Sequence, residues 1–256
     1  MTRRQLLAAL APAARPRLIA HRGGIVDDAH PENSRASLLA AIARHYWMIE
    51  VDVRASKDGE PLLHHDPTLE RFYGLRQRPE DLSWRELSRL RSTPGNEAPL
   101  HFDDLCQLCR GKTRLMLDIK NALLPPAFYE RMAKAMSDSA LLHTAYMLGG
   151  DRWRPFFGPG GVRESTNRAT LTAAANRGED TPSRYFLFEL PADLTPESFQ
   201  LTRRLNVDCV AAINTFRYTL ARRDPWLAPE QDISRLLALG VPCFQIDSRY
   251  EPLLAP

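Results

Sequence analysis

The sequence has no apolar run long enough to span a membrane, no GxSxG nucleophile elbow and no glycine-rich dinucleotide fingerprint. The first absence leaves no candidate transmembrane segment, the second argues against a serine carboxyl-esterase, and the third withholds support from a nucleotide-binding open sheet. Excess charge of either sign is small too. Lys+Arg 34 against Asp+Glu 31 leave a formal net charge of +3, and beyond Arg3-Arg4 and Arg222-Arg223 no like-charge block stands out, so composition does not argue for nucleic acid. Cysteine is limited to Cys106, Cys109, Cys209 and Cys243. The single CxxC pair, Cys106 and Cys109, has no second pair to complete a zinc site. It lies in a helical-looking segment and reads as buried thiols of a reducing compartment.

The most informative stretch is 47–66, WMIEVDVRASKDGEPLLHHD. Glu50 and Asp52 stand two apart in an apolar, β-branched run, so on a strand they share a face. Neighbouring carboxylates repel unless a proton or a cation sits between them, and oxygen-only donors suit Mg²⁺ or Ca²⁺. The bland alternative is a solvated pair on an edge strand.

Eight apolar runs (17–23, 47–53, 61–66, 113–120, 143–149, 184–190, 208–214 and 243–248) are mostly separated by helical patterns. Ser34 is the expected N-cap of a helix whose apolar stripe is Leu38, Leu39 and Ile42. Thr195-Pro196-Glu197 opens another helix, and Gly240 closes the last one. Strands alternating with helices imply a parallel sheet, and eight units in 256 residues match a closed (β/α)₈ barrel; a doubly wound open sheet is the alternative. One link is awkward: 54–60 is too short for a crossover helix, and spacing alone favours a hairpin about Asp58-Gly59. Residues 1–16 read as a leading helix or a short signal. Length favours the helix and a cytoplasmic chain, and the alternative is export if 1–14 is a signal. The long connections 150–161 and 217–231, rich in aromatics and proline, are either pocket walls or ordinary packed loops.

In a barrel the strand C-terminal ends converge on one mouth. His21, Arg22, Glu50, Asp52, His65, Asp118 and Lys120 all fall at or near such ends. Three carboxylates can hold one divalent cation with positions left open for substrate oxygens. Arg22 can fork onto a phosphate, Lys120 can add a point charge, and two imidazoles can serve as general acid and base. That set suits phosphodiester hydrolysis.

HRGG at His21, PEN at Pro31-Glu32-Asn33, IEVDV around Glu50 and Asp52, SKDGEP, HHDPTLER at His65-Asp66, APLHFDDL and DIK at Asp118-Ile119-Lys120 follow in order. Over roughly 17–120 the chain resembles the glycerophosphodiester phosphodiesterase family, and LLALGVPCFQIDS resembles that family's last helix and strand. The resemblance implies a single-domain TIM barrel over 1–256, of the PI-PLC-like phosphodiesterase type. It also implies one divalent cation, Mg²⁺ or Ca²⁺. The substrate implied is a small-molecule glycerophosphodiester such as glycerophosphocholine, cleaved to glycerol 3-phosphate and an alcohol. By motif, Glu50, Asp52 and Asp118 would hold the metal, and His21 and His65 would be the acid–base pair. Arg22 and Lys120 would bind phosphate, Glu32 would orient His21, and 54–60 would be an extended return rather than a hairpin. His21 is assigned as base and His65 as acid. The alternatives are a lysophospholipase D or phospholipase C-like lipid phosphodiesterase, and a catalytically silent phosphodiester-binding barrel.

Two departures stand out. The family usually has Glu where this chain has Asp118, and its Trp-Thr-x-Asn run reads Ala211, Ala212, Ile213, Asn214 here. His64 is expected to pack on the far side of its strand, and His30, His45, His101 and His143 to be structural or exposed. Glu189 is a candidate for the pocket, and Asp247 for the rim or an N-cap. Trp153, Phe156 and Phe157 are expected in the core.

Overall fold

The computed structural model describes residues 15–254 apart from Asp28 and Ala122. Residues 1–14, which carry most of the expected leading helix or signal, lie outside the described residues. The described residues form nine strands: β1 (Arg17–Ala20), β2 (Met48–Ala55), β3 (Pro61–Leu63), β4 (Arg114–Ile119), β5 (Tyr146–Met147), β6 (Arg163–Thr166), β7 (Tyr185–Glu189), β8 (Asp208–Ile213) and β9 (Cys243–Ile246). All except β3 are parallel, and the β1–β2 pairing closes them into the expected (β/α)₈ barrel.

The staves differ from expectation in two places. β3 is not one of them. It runs antiparallel to β2, with Val53 opposite Leu63 and Ala55 opposite Pro61. The hairpin that spacing favours therefore forms, and the extended return implied by the resemblance does not. The turn is closed by the Ser56 N–H donating to the Glu60 carbonyl and by Gly59 at φ 80. The missing stave is β6, whose sequence REST has no apolar residue to announce it.

Alternation along the strands builds a floor inside the barrel from Ile19, Met48, Met116, Tyr146, Phe186, Val210 and Cys243. Tyr146 stacks on Phe186 with ring centroids 4.1 Å apart. Below this floor Asp208 gathers Arg17, Arg163 and the Tyr146 hydroxyl. A larger cluster fills the layer between strands and helices, and each fully buried large side chain there contributes about 1.5–3 kcal/mol.

The first long helix (Arg35–Ala43) starts at Ser34, whose hydroxyl accepts the Ser37 N–H at 3.1 Å. It buries Ser37, Leu38 and Ala41, so Leu39, placed in the expected stripe, is instead 42% exposed. The helix Pro196–Leu205 is capped by Thr195, and Gly240, at φ 87, ends the helix Leu227–Leu239. Of the two long connections, the first is core: Trp153 and Phe157 are buried, and Trp153 packs on Tyr129. The second holds a short helix, Thr215–Leu220, directly after β8 and hence on the mouth side.

Candidate active site

Strand register puts the acidic group together. Met48 belongs to the floor, so Glu50 and Asp52, two and four residues on, point along the same inner face toward the mouth. On β4 the same holds for Met116 and Asp118, and Asp52 pairs with Asp118 across the ladder. Carboxylate oxygens of Glu50, Asp52 and Asp118 lie within 4.8 Å of one another. Glu50 and Asp52 are each 1% exposed. Burial, then the charge of Asp52, pushes the Glu50 carboxyl well above the usual carboxylate range.

These residues fit a hard dication. The donor set is oxygen only. The Lys120 ammonium lies inside the group, at 2.8 Å from Asp52 Oδ1 and 2.6 Å from Asp118 Oδ2. Three carboxylates crowded in a buried place carry more negative charge than Lys120 alone offsets, an excess that a dication would balance. Burial first, and then the charges of Asp52 and Asp118, push the Glu50 carboxyl up. Lys120, expected at the phosphate, is thus occupied by Asp52 and Asp118, and the two carboxylates raise its pKa against the lowering effect of burial.

Asn33 holds this group in place. Its Nδ2 donates to Asp52 Oδ2 at 2.8 Å, and its Oδ1 accepts the Asp52 N–H at 3.1 Å. Asn33 is itself fixed by its N–H, which donates to the Arg22 carbonyl at 2.7 Å. The turn that allows this is HRGG. A Cβ on Gly23 would sit 2.6 Å from Asn33 Cα, and one on Gly24 would sit 2.1 Å from the Ser37 carbonyl oxygen. Arg22 itself takes φ 54, so its N–H donates to Glu50 Oε2 at 2.8 Å while its guanidinium faces the mouth.

Both imidazoles are anchored through Nδ1 on a carboxylate. His21 Nδ1 lies 2.5 Å from Asp247 Oδ1, and His65 Nδ1 lies 2.8 Å from Asp66 Oδ1. His21 Nε2 is 4.0 Å from Glu50 Oε2, and Arg22 Nη2 donates to His65 Nε2 at 3.1 Å. The structure thus brings together His21, Arg22, Glu50, Asp52, His65, Asp118 and Lys120, as the sequence led us to expect.

The expected role of Glu32 is corrected. Its carboxylate accepts from Arg22 Nη1 at 3.0 Å and from Arg71, so it positions two guanidiniums and does not touch His21. The carboxylate that orients His21 is Asp247, just beyond β9. Asp247 also accepts the Thr215 N–H at 2.6 Å and the Thr215 hydroxyl. Its expected placement at the rim foreshadowed this, but a contact across 226 positions leaves no local pattern. Asn33 lies in the PEN motif, and Asp66 and Arg71 lie in the HHDPTLER run, so the signal for all three is local.

His64, His101, Cys106 and Cys109 are held away from the mouth by local packing. His64 Nε2 donates to the Thr68 carbonyl at 2.9 Å, and burial lowers its pKa. His101 faces Glu60 and accepts the Asp103 N–H at a helix start. Cys106 and Cys109 are free and buried, and burial pushes the Cys109 thiol up to about 12. Glu189 lines a separate hollow with Arg168, Asp193 and Arg217. No helix among the described residues is long and apolar enough to cross a membrane.

Comparisons with known proteins agree with this fold. The Glycerophosphoryl diester phosphodiesterase family profile matches residues 21–153, just over half of the 256-residue chain. Glycerophosphodiester phosphodiesterase 1 of Rattus norvegicus is 33% identical over 101 residues, covering 40% of this chain and 30% of that protein. Probable glycerophosphodiester phosphodiesterase 2 of Mycobacterium tuberculosis is 33% identical over 104 residues, covering 41% and 38%. The chain thus spans about a third of the length of these curated relatives. A glycerophosphoryl diester phosphodiesterase from Parabacteroides distasonis shares the fold with a TM-score of 0.72 at 22% identity, over 95% of this chain and 86% of that one. An Oleispira antarctica phosphodiesterase, solved with the product sn-glycerol-3-phosphate, does so with a TM-score of 0.66 at 17% identity, over 94% and 97%. On the extent of the family match and the motifs it contains, the chain belongs to the glycerophosphoryl diester phosphodiesterase family.

Proposed function

We propose that this chain is a metal-dependent phosphodiesterase that hydrolyses glycerophosphodiesters, such as glycerophosphocholine, to glycerol 3-phosphate and an alcohol. The observation that carries this reading is the convergence of two carboxylate-anchored imidazoles, one guanidinium and three carboxylates on a single barrel mouth. The glycerol 3-phosphate product named for the Oleispira antarctica neighbour is consistent with it. Glu50, Asp52 and Asp118 would hold Mg²⁺ or Ca²⁺, which supplies positive charge to the phosphoryl oxygens.

The reaction adds water across a P–O bond. The water oxygen bonds to phosphorus, the bond to the leaving alkoxide breaks with its electron pair going to oxygen, and a proton ends on that oxygen. Arg22 can turn its Nη2–H from His65 to a phosphoryl oxygen while Nη1 stays on Glu32. A guanidinium only donates, so the ring nitrogen it meets, His65 Nε2, carries a lone pair. That is the form of a general base, and Asp66 holds the matching Nδ1–H. His21 sits between Asp247 and Glu50; although its burial opposes charge, the two carboxylates raise its pKa and favour the imidazolium, the form of a general acid. This hydrogen bonding supports the reverse of the assignment made from sequence, with His65 as base and His21 as acid.

The test is product release from glycerophosphocholine and from a diester with a good leaving group, such as a nitrophenol. His21→Ala should lose far more activity on the choline diester, because a poor leaving group needs the proton most. His65→Ala should lose both alike. The opposite pattern reverses the roles, and full activity in both variants removes the imidazoles from the reaction.

A further inference from the structure

The groups around His65 form a closed ring. Arg22 Nη2 lies 3.1 Å from His65 Nε2, and His65 Nδ1 lies 2.8 Å from Asp66 Oδ1. Arg71 then donates to both oxygens of Asp66, from Nε at 2.7 Å and from Nη2 at 3.0 Å. The same guanidinium donates to both oxygens of Glu32. Glu32 closes the circle by accepting from Arg22 Nη1 at 3.0 Å. Arg71 is thus bonded to the carboxylate that holds the imidazole and to the carboxylate that holds the Arg22 guanidinium, and it reaches both groups through them.

The chain puts Arg71 there by local means. Leu69 is fully buried in a small cluster with Leu62 and Leu87, and its N–H donates to the Gln77 carbonyl at 2.9 Å. The helical turn Glu70–Tyr73 that follows is therefore pinned close to β3, and Arg71 stacks on the Phe72 ring at 4.3 Å. A rigid fork suits the task. A guanidinium carries five N–H donors in one plane and can grip two carboxylates in fixed directions, which the point charge of an ammonium cannot. Burial would raise the Asp66 carboxyl, but hydrogen bonds from His65 and Arg71 hold it below its ordinary range. Glu32, His65 and Asp66 also offer donor atoms within 4.8 Å of one another. Unlike Glu50, Asp52 and Asp118, they are balanced by two guanidiniums of the chain itself.

We propose that Arg71 is a positioning residue of the reaction, fixing His65 through Asp66 and Arg22 through Glu32. This rests on the phosphodiesterase reading above and adds a residue to it. When a phosphoryl oxygen draws Arg22 Nη2 away, only the link to His65 Nε2 opens. The other links keep the imidazole and the guanidinium aimed at the same phosphate.

The experiment measures kcat and KM of wild type and Arg71→Ala on glycerophosphocholine and on a nitrophenyl diester, with saturating Mg²⁺ or Ca²⁺. We expect kcat to fall by about a hundredfold on both substrates alike, as a misplaced His65 requires, and KM to rise through Arg22. Free guanidinium ion, at a concentration that leaves wild type unchanged, should restore part of the lost kcat. The Arg71 side chain is 42% exposed, so the melting temperature should hold. If it does not, Arg71→Lys, which keeps the charge without the fork, should show the same pattern in smaller measure. A loss confined to glycerophosphocholine would place Arg71 with the proton donor His21 and overturn the proposal. So would a change in KM alone, a loss that guanidinium does not relieve, or unchanged constants in an active enzyme, and each of these leaves the phosphodiesterase reading standing. No turnover of either diester by wild type overturns both.

Discussion

His21 Nδ1 lies 2.5 Å from Asp247 Oδ1, and the other oxygen of Asp247 accepts the Thr215 N–H. One carboxylate thus ties the ends of β1, β8 and β9 together around a single imidazole. Asp247→Asn keeps the shape and removes the charge. We expect kcat to fall by about a hundredfold, as for a small misplacement of a catalytic group, with KM little changed. A matching loss in KM alone would place Asp247 in substrate binding instead.

The same pair makes stability depend on pH. The folded state raises the His21 pKa above 6.5, so its contribution is complete below that value and is lost as pH rises through the folded value. The folded state lowers the Asp247 pKa below 3.8, so its contribution is present above that value and is lost as pH falls through the folded value. The difference in melting temperature between wild type and Asp247→Asn should therefore be largest near pH 5 to 6, as both charges require. It should shrink on both the alkaline and the strongly acidic side. A difference that does not change with pH would show that the pair is not ionised.

Asn33→Ala removes the two hydrogen bonds that Asn33 makes with Asp52. Partners of this kind typically contribute about 10- to 100-fold to metal affinity. The half-saturating Mg²⁺ or Ca²⁺ concentration should rise by that factor, read by calorimetry or by activity. Asp118→Glu, which restores the family's longer side chain, should move it the other way. Unchanged metal dependence in Asn33→Ala would detach Asp52 from the metal.

Gly24→Ala would drive a Cβ to 2.1 Å from the Ser37 carbonyl oxygen at a φ of 137. We expect a loss of about 3 kcal/mol in denaturant unfolding, since backbone and helix must both give way. Gly59→Ala, also at positive φ but with open space around the added Cβ, should cost clearly less. Equal losses would mean that φ alone sets the cost.

Much of this site is legible in the chain because its parts are local. Glu50 and Asp52 share a face by alternation, and Asp118 and Lys120 repeat the pattern on the neighbouring strand. The hairpin of β2 and β3 is also local, and the length of 54–60 was a better guide to it than the family pattern. The strand β6 was invisible because Arg163, Glu164, Ser165 and Thr166 earn their place by hydrogen bonding between two longer neighbours. The partners of Asp247 and Glu32 are not legible in the sequence because they are chosen by the closing of the barrel. Asp247 is far from His21 in sequence, and Glu32 is drawn to Arg71 by a segment that folds back from beyond β3.

The most direct measurement is glycerol 3-phosphate release from glycerophosphocholine across a titration of Mg²⁺ and of Ca²⁺, with reversal by a chelator, in wild type and Asp52→Asn. We expect activity that saturates with metal, disappears on chelation, returns on readdition, and falls by at least about a hundredfold in the variant. Activity that is indifferent to chelator and to Asp52→Asn would contradict the assignment of Glu50, Asp52 and Asp118 as the metal-holding heart of the site.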